Sequence, residues 1–152
     1  YELDYIITNC SNNFGARQHT EKLIPTVIRK ILSNQKIPIY GNGLNIRDWI
    51  FAQDHARAII SIHEHELINE KINIGGDHEI SNLSLVKYIL KTMDCNEDLI
   101  EFVDDRLGHD LRYAIDNTKI YSLTNWKPSQ YFDKNIQETI EWYQNNPNWW
   151  ES

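Results

Sequence analysis

The sequence predicts one mixed α/β unit built from several short strands, and three observations predict it. Short apolar or β-branched runs recur at 5–8, 37–40, 46–51, 72–74 and 100–103. Each has the length of a strand and none the length of a helix. Between them, apolar residues return every three or four positions, the period of a helix with one buried face. The third observation is size: 152 residues suffice for one domain with a real core, and are too few for two.

Residues 5–8 read as a buried strand that empties into an amide-rich loop of Asn9, Cys10, Ser11, Asn12, Asn13, Phe14 and Gly15. Loops at the C-terminal ends of strands are where α/β sheets usually hold ligands. Thr20 is expected to cap a helix over 21–32, with Glu21 at the positive end of its dipole. Leu23, Ile24, Val27, Ile28, Ile31 and Leu32 form its apolar stripe, and Pro25 is tolerated in the first turns. Strands at 37–40 and 46–51 flank Gly41, Asn42 and Gly43, a turn whose residues accept positive φ.

Asp54 is expected to cap the next helix, running to about His63, and 72–74 is a short strand ending in Gly75 and Gly76. Ser81 or Asn82 then caps a helix with Leu83, Val86, Ile89, Leu90 and Met93 facing inward. After the strand at 100–103, Asp116 opens a short helix toward Leu123. Asp133 opens the last helix, with Ile136, Ile140 and Tyr143 on one face, and Asn146 and Pro147 stop it. There are no repeats, linkers or low-complexity stretches.

A hydrophobic fraction of 41% and a charged fraction of 24% are those of a soluble globular protein. The formal net charge of −7 disfavours a nucleic-acid binder, because neutralising phosphates takes clustered Lys and Arg. A small anion held by two or three arginines remains compatible with it. No apolar run reaches the roughly 18–20 residues that span a bilayer, and Glu2 and Asp4 interrupt any signal peptide. Cys10 and Cys95 form no CxxC pair and are expected to be reduced and buried in a cytosolic protein. A start at Tyr1, running straight into a strand, hints at a fragment.

Among the groups that carry chemistry, the arginines come first. Arg47 follows the Gly41–Gly43 turn and Arg106 follows the strand at 100–103. A guanidinium matches phosphate oxygens bidentately, and Lys22 lies at a helix start, another favourable place for an anion. The structural alternative pairs Arg47 with Asp48 or Asp54, and Arg106 with Asp104 or Asp105; spacing alone favours it. Ser11, Asn12 and Asn13 suit sugar hydroxyls or a ribose, against an Asx-turn that bonds only its own backbone. Gly75 and Gly76 admit close backbone approach or form a tight strand exit. His63 and His65, two apart on a helix, face opposite ways and make a poor metal pair even with His55 nearby. The five tryptophans read mainly as packing.

No Gly-x-Gly-x-x-Gly occurs, and none of the eight tyrosines is followed by lysine four residues later. Neither the dinucleotide fingerprint nor the Tyr-x-x-x-Lys pair of short-chain dehydrogenases is therefore present.

Several segments follow one another in a telling order. Thr8 to Gly15 precedes Glu21-Lys22-Leu23-Ile24-Pro25, Pro38-Ile39-Tyr40-Gly41 and Ile46-Arg47-Asp48-Trp49. Asp54-His55-Ala56-Arg57-Ala58, Asn73-Ile74-Gly75-Gly76, the run from Asp105 to Asp116 and Trp126-Lys127-Pro128 complete the series. Together they resemble the dTDP-glucose 4,6-dehydratases of the extended short-chain dehydrogenase family, over about residues 1–149. The amide loop and the Gly108-His109-Asp110-x-Arg112-Tyr113 segment are the specific parts; Asn73 to Gly76 and Trp126-Lys127-Pro128 occur more widely.

The resemblance implies the C-terminal, sugar-nucleotide-binding half of a Rossmann-type enzyme, with 1–20 ending the cofactor lobe and 21–152 mainly forming the substrate lobe. The implied reaction oxidises glucose C4 with NAD, eliminates water across C5–C6 and returns hydride to C6, serving deoxysugar synthesis. Asn12 would contact substrate and Asn13 the NAD. Lys22 and Leu23 would touch substrate, Pro38, Ile39 and Tyr40 would line the base, and Arg47, Asn82, Arg106 and His109 would hold the diphosphate and ribose. The catalytic residues would lie outside this chain, and the whole enzyme would be a cytoplasmic homodimer with no nucleic-acid or membrane partner. Related nucleotide-sugar epimerases or dehydratases, or a non-catalytic binding remnant, are the alternatives. Leu107, Leu111 and Ala16 depart from the family's proline, arginine and proline, which bears on thymidine against uridine specificity.

Overall fold

In a computed structural model, which describes residues 2–151, eight strands and six α-helices follow one another, with one 3-10 turn at Glu97–Leu99. They are β1 (Ile6–Cys10), β2 (Asn12–Phe14), α1 (Leu23–Leu32), β3 (Ile37–Tyr40), β4 (Ile46–Phe51), α2 (Ala52–Glu64), β5 (Glu70–Ile74) and β6 (Glu79–Ser81), then α3 (Asn82–Thr92), β7 (Ile100–Val103), β8 (Arg112–Tyr113), α4 (Thr118–Thr124), α5 (Phe132–Asn145) and α6 (Asn148–Glu151). The side chains of Trp150 and Glu151 lie outside the described residues.

Three small sheets result. β1 pairs with β5 and β3 with β7, both parallel. β4 organises the third: β2 and β8 lie parallel to it along one edge, and β6 is antiparallel along the other. Thus β3 and β4 do not pair with each other, although Gly41 and Gly43 do adopt φ of 57° and 70° between them.

Two apolar cores hold these sheets. The larger one lies among α1, α3, α5 and β3, with Phe14 and Trp49 contributed by β2 and β4. In α1, Ile24, Val27, Ile28 and Ile31 recur at the helical period and are buried, the first three completely. Each such burial contributes about 1.5–3 kcal/mol. Leu32, expected on the same stripe, is exposed. In α3 the wholly buried residues are Leu85, Val86, Ile89 and Leu90, while Leu83 and Met93 are half-buried. The smaller core joins Ile50, Ala58 and Ile62 to Ile72, Ile74, Ile120 and Trp126 beneath the β1–β5 pair.

Several caps differ from expectation. Lys22 occupies the N-cap of α1 without a side-chain bond, and the Thr20 carbonyl instead accepts from Thr26 Oγ1 at 2.8 Å. α2 begins at Ala52, so Asp54 sits within its first turn. Its buried carboxylate accepts from Arg57 and from Ser129 N and Oγ at 3.1 and 2.6 Å, tying the helix to a distant loop. Ser81 does cap α3, accepting from Ser84 N at 3.2 Å. Asp116 accepts from Thr118 N just ahead of α4, and Asp133 lies in the first turn of α5. Both cysteines are free, and each is only half-buried rather than fully so. Among the described residues no helix is long and apolar enough to cross a membrane.

Candidate functional site

The ends of β2, β3 and β4, the start of α1 and the loop after β7 converge on a cavity of about 850 Å³. All eleven residues singled out from the sequence line it: Asn12, Asn13, Lys22, Leu23, Pro38, Ile39, Tyr40, Arg47, Asn82, Arg106 and His109. Gln18, Glu21, Thr26 and Trp49 complete the wall, and sequence reading had not selected them as site residues. Trp49 carried a readable signal, since it stands two residues from Arg47 on a strand and so shares its face.

Neither arginine is consumed by a carboxylate. Arg47 Nη1 donates to the carbonyls of Ile46 and Asp110 at 2.7 and 3.0 Å, which fixes the stem and leaves the remaining guanidinium donors for a ligand. The Asp110 carbonyl also accepts from Asn45 Nδ2 at 3.1 Å, so strand β4 grips the far end of the loop that carries Arg106. Arg106 lies over the Tyr40 ring, 4.1 Å from its centroid, in a cation–π contact. Asp48 and Asp54 are otherwise engaged, Asp48 with the backbone N–H groups of Gly76 and His78, both at 2.9 Å. Asp105 bonds the Arg106 backbone N–H at 2.8 Å rather than its guanidinium.

His109 Nδ1 lies 2.7 Å from Asp105 Oδ1, which leaves Nε2 to meet a ligand. That hydrogen bond, with the Arg106 N–H, holds the Asp105 carboxyl below the usual carboxylate range. The side chain of Asn12, whose backbone pairs with β4, makes no hydrogen bond to another side chain or to backbone among the described residues, so its amide is free. Asn13 is almost fully used: its Nδ2 donates to Ser11 O and Cys10 Sγ at 3.1 and 3.2 Å, and its Oδ1 lies 3.0 Å from His55 Nδ1. Burial pushes the His55 imidazole down, favouring a neutral ring that donates from Nδ1 to Asn13. Asn13 therefore retains one acceptor lone pair on Oδ1 for a ligand N–H.

Gly75 and Gly76 serve the fold rather than a ligand. A Cβ on Gly76 would overlap the Trp49 carbonyl, and one on Gly75 would stand 2.7 Å from Asp48 Oδ2. His65 Nδ1 bonds the Ser61 carbonyl at 2.8 Å, and no cluster of three or more His, Cys, Asp or Glu residues suited to a metal occurs among the described residues.

Residues 1–139 match the family model for GDP-mannose 4,6 dehydratase. The dTDP-glucose 4,6-dehydratase of Neisseria meningitidis serogroup B is 41% identical over 163 residues, covering 100% of this chain and 46% of that protein. The crystal structure of the Bacillus anthracis dTDP-glucose 4,6-dehydratase in complex with NAD is 41% identical, with a TM-score of 0.90 over 96% of this chain and 46% of that one. The Streptomyces venezuelae dTDP-glucose 4,6-dehydratase, with NAD bound, is 38% identical with a TM-score of 0.94 over 98% of this chain and 46% of its own. The chain thus spans under half the length of the curated relatives it matches. Its mixed α/β architecture is that of Rossmann-type extended short-chain dehydrogenases, as the sequence predicts.

Proposed function

The chain belongs to the GDP-mannose 4,6 dehydratase family, and from that membership we propose that it forms the nucleotide-sugar-binding part of a dTDP-glucose 4,6-dehydratase. The reading rests on one cavity whose wall combines two uncompensated arginines, an aromatic face and free amides. Such a wall suits a nucleoside diphosphate sugar and little else. Guanidinium forks bind the diphosphate, a tyrosine ring beside proline and isoleucine receives the base, and amides bond hydroxyls.

In this reading Arg47, Arg106, His109 and Asn82 hold the diphosphate and ribose. Pro38, Ile39 and Tyr40 line the base, and Asn12, Lys22 and Leu23 contact the substrate. Their work is to bind and orient: contacts remote from the reacting carbons place the hexose for chemistry done elsewhere. NAD supplies, when bound, the acceptance and return of hydride. Of this chain's residues, Asn13 would touch it, its amide aimed by His55, Cys10 and Ser11. Residues 1–20 would complete the cofactor lobe and 21–152 mainly the substrate lobe, in a cytoplasmic homodimer.

No residue here is assigned proton or hydride transfer, because neither Gly-x-Gly-x-x-Gly nor Tyr-x-x-x-Lys occurs in these 152 residues. We accordingly expect the chain alone to bind dTDP-glucose without converting it. Incubation with dTDP-glucose and NAD, followed by an assay for the 4-keto sugar, is expected to show no ketone. Ketone formation by the isolated chain would overturn the assignment of all chemistry to residues beyond it.

A further inference from the structure

Because the Asn12 side chain makes no hydrogen bond among the described residues, its place in the cavity is set by the backbone beneath it. That backbone is β2, three residues long and paired on one edge only among the described residues, with β4. A strand so short, held on one side, opens easily unless something else grips it. Gln18, which lines the same cavity, supplies the grip: its Nε2 donates to the Asn13 carbonyl at 2.7 Å.

Gln18 is in turn tethered to α5. Its carbonyl accepts from the hydroxyl of Tyr143, a wholly buried residue, at 2.8 Å. Its neighbour Arg17 lies over the Trp142 ring, 5.5 Å from the centroid, with a φ of 63° that residues other than glycine rarely adopt. Two consecutive loop residues thus hang on two consecutive residues of a core helix. Stability alone is a poor account of the Gln18 side chain. Its Oε1 is buried and accepts no hydrogen bond among the described residues, a cost that an apolar side chain would avoid. What a methionine of similar length could not bring is the N–H given to Asn13.

We infer that Gln18 is a positioning residue: braced by Tyr143, its amide holds β2 so that Asn12 meets the sugar of the bound nucleotide. The inference rests on the function proposed above. Gln18 acts through the strand and not by touching the ligand, so its effect belongs to the part of the substrate that Asn12 contacts. The base and diphosphate are held by Tyr40, Arg47 and Arg106, to none of which Gln18 is bonded.

The test is Gln18→Met in the 152-residue chain, which keeps the side chain's length and removes the donor together with the idle acceptor. In calorimetric titrations the dissociation constant for dTDP-glucose is expected to rise about fivefold, the worth of one neutral hydrogen bond, while that for dTDP stays within about twofold. Both constants within about twofold of the unaltered chain would overturn the inference. So would equal weakening of both ligands, which is what general loosening of the fold produces. A second measurement needs no variant. Coupling is reciprocal, so dTDP-glucose must strengthen the Gln18–Asn13 bond by the factor that the bond strengthens dTDP-glucose. In the unaltered chain, the side-chain amide protons of Gln18, assigned by NMR through their own residue, should exchange about fivefold more slowly under saturating dTDP-glucose than under saturating dTDP. Equal exchange would overturn the inference, and this comparison decides if the variant does not fold. Failure of the unaltered chain to bind dTDP at all would instead bring down the reading of the cavity, and this inference with it.

Discussion

Gly76→Ala should be among the most damaging small substitutions in the chain. A Cβ at that position would overlap the carbonyl carbon and oxygen of Trp49 and lie 2.8 Å from Ile50 N, all backbone atoms of the central strand β4. Nonbonded carbons settle at about 3.5–4.0 Å, so the loop after β5 must retreat by roughly 1 Å. Retreat breaks the bonds that dock it. Gly76 N and His78 N each donate to the buried Asp48 carboxylate at 2.9 Å, and Trp49 N donates to His78 O at 3.0 Å. Losing two of these three leaves buried partners unsatisfied, at about 1–3 kcal/mol each, so a total of about 2–6 kcal/mol is expected. Against a whole stability of about 5–15 kcal/mol, that is a large fraction. Gly108→Ala provides the control: Gly108 has φ of 71° but no atom within 4 Å of a new Cβ, so only the left-handed backbone penalty of about 1 kcal/mol applies. Urea unfolding followed by circular dichroism measures both. Equal unfolding midpoints for the two variants would refute the reasoning that the two glycines differ by backbone contact.

Stability should also fall as pH drops through about 6.5. Burial lowers both His78 and His55 from their ordinary value of 6.5, so below it the unfolded chain binds more protons than the folded one and is favoured. His78→Phe preserves the stack on Phe132, at 3.7 Å between centroids, and should flatten the fall in urea midpoint between pH 7.5 and 5.5; an unchanged slope would exclude His78 as its source. The purified chain is further expected to self-associate. β1 pairs on one edge only among the described residues, and Ile7 within it and Leu3 and Tyr5 just before it are exposed. Ile7→Lys should reduce the association seen in sedimentation velocity, whereas a monodisperse monomer with a sharp cooperative melt would argue against an adhesive edge.

Strands β3, β4 and β7 have the boundaries read from the sequence, because their apolar runs are long enough to be seen without context. β2, β6 and β8 were not legible. Asn12-Asn13-Phe14, Glu79-Ile80-Ser81 and Arg112-Tyr113 have two or three residues each and little apolar character, and they are strands only because β4 offers its backbone on both edges. The same distance dependence defeated the caps. Asp54 has the chemistry of an N-cap, but Ser129, 75 residues away, takes its carboxylate into the interior. Within the site, segment order led to all eleven expected residues, and their gathering around one cavity follows from short elements that end at the same place. What spacing could not decide was the fate of the arginines. Nearby aspartates made ion pairs the simpler reading, and only the folded arrangement shows Asp48 and Asp54 bonded elsewhere.

The central claim is that this chain carries a nucleotide-sugar diphosphate site, and calorimetric titration of the purified chain tests it most directly. dTDP, dTDP-glucose, UDP-glucose and NAD are titrated in turn, with Arg47→Ala and Arg106→Ala alongside. The account predicts that dTDP and dTDP-glucose bind, that each arginine variant weakens them by about tenfold or more, and that NAD alone does not bind tightly. A folded chain that binds neither dTDP ligand, or that binds them equally well without either arginine, would contradict it.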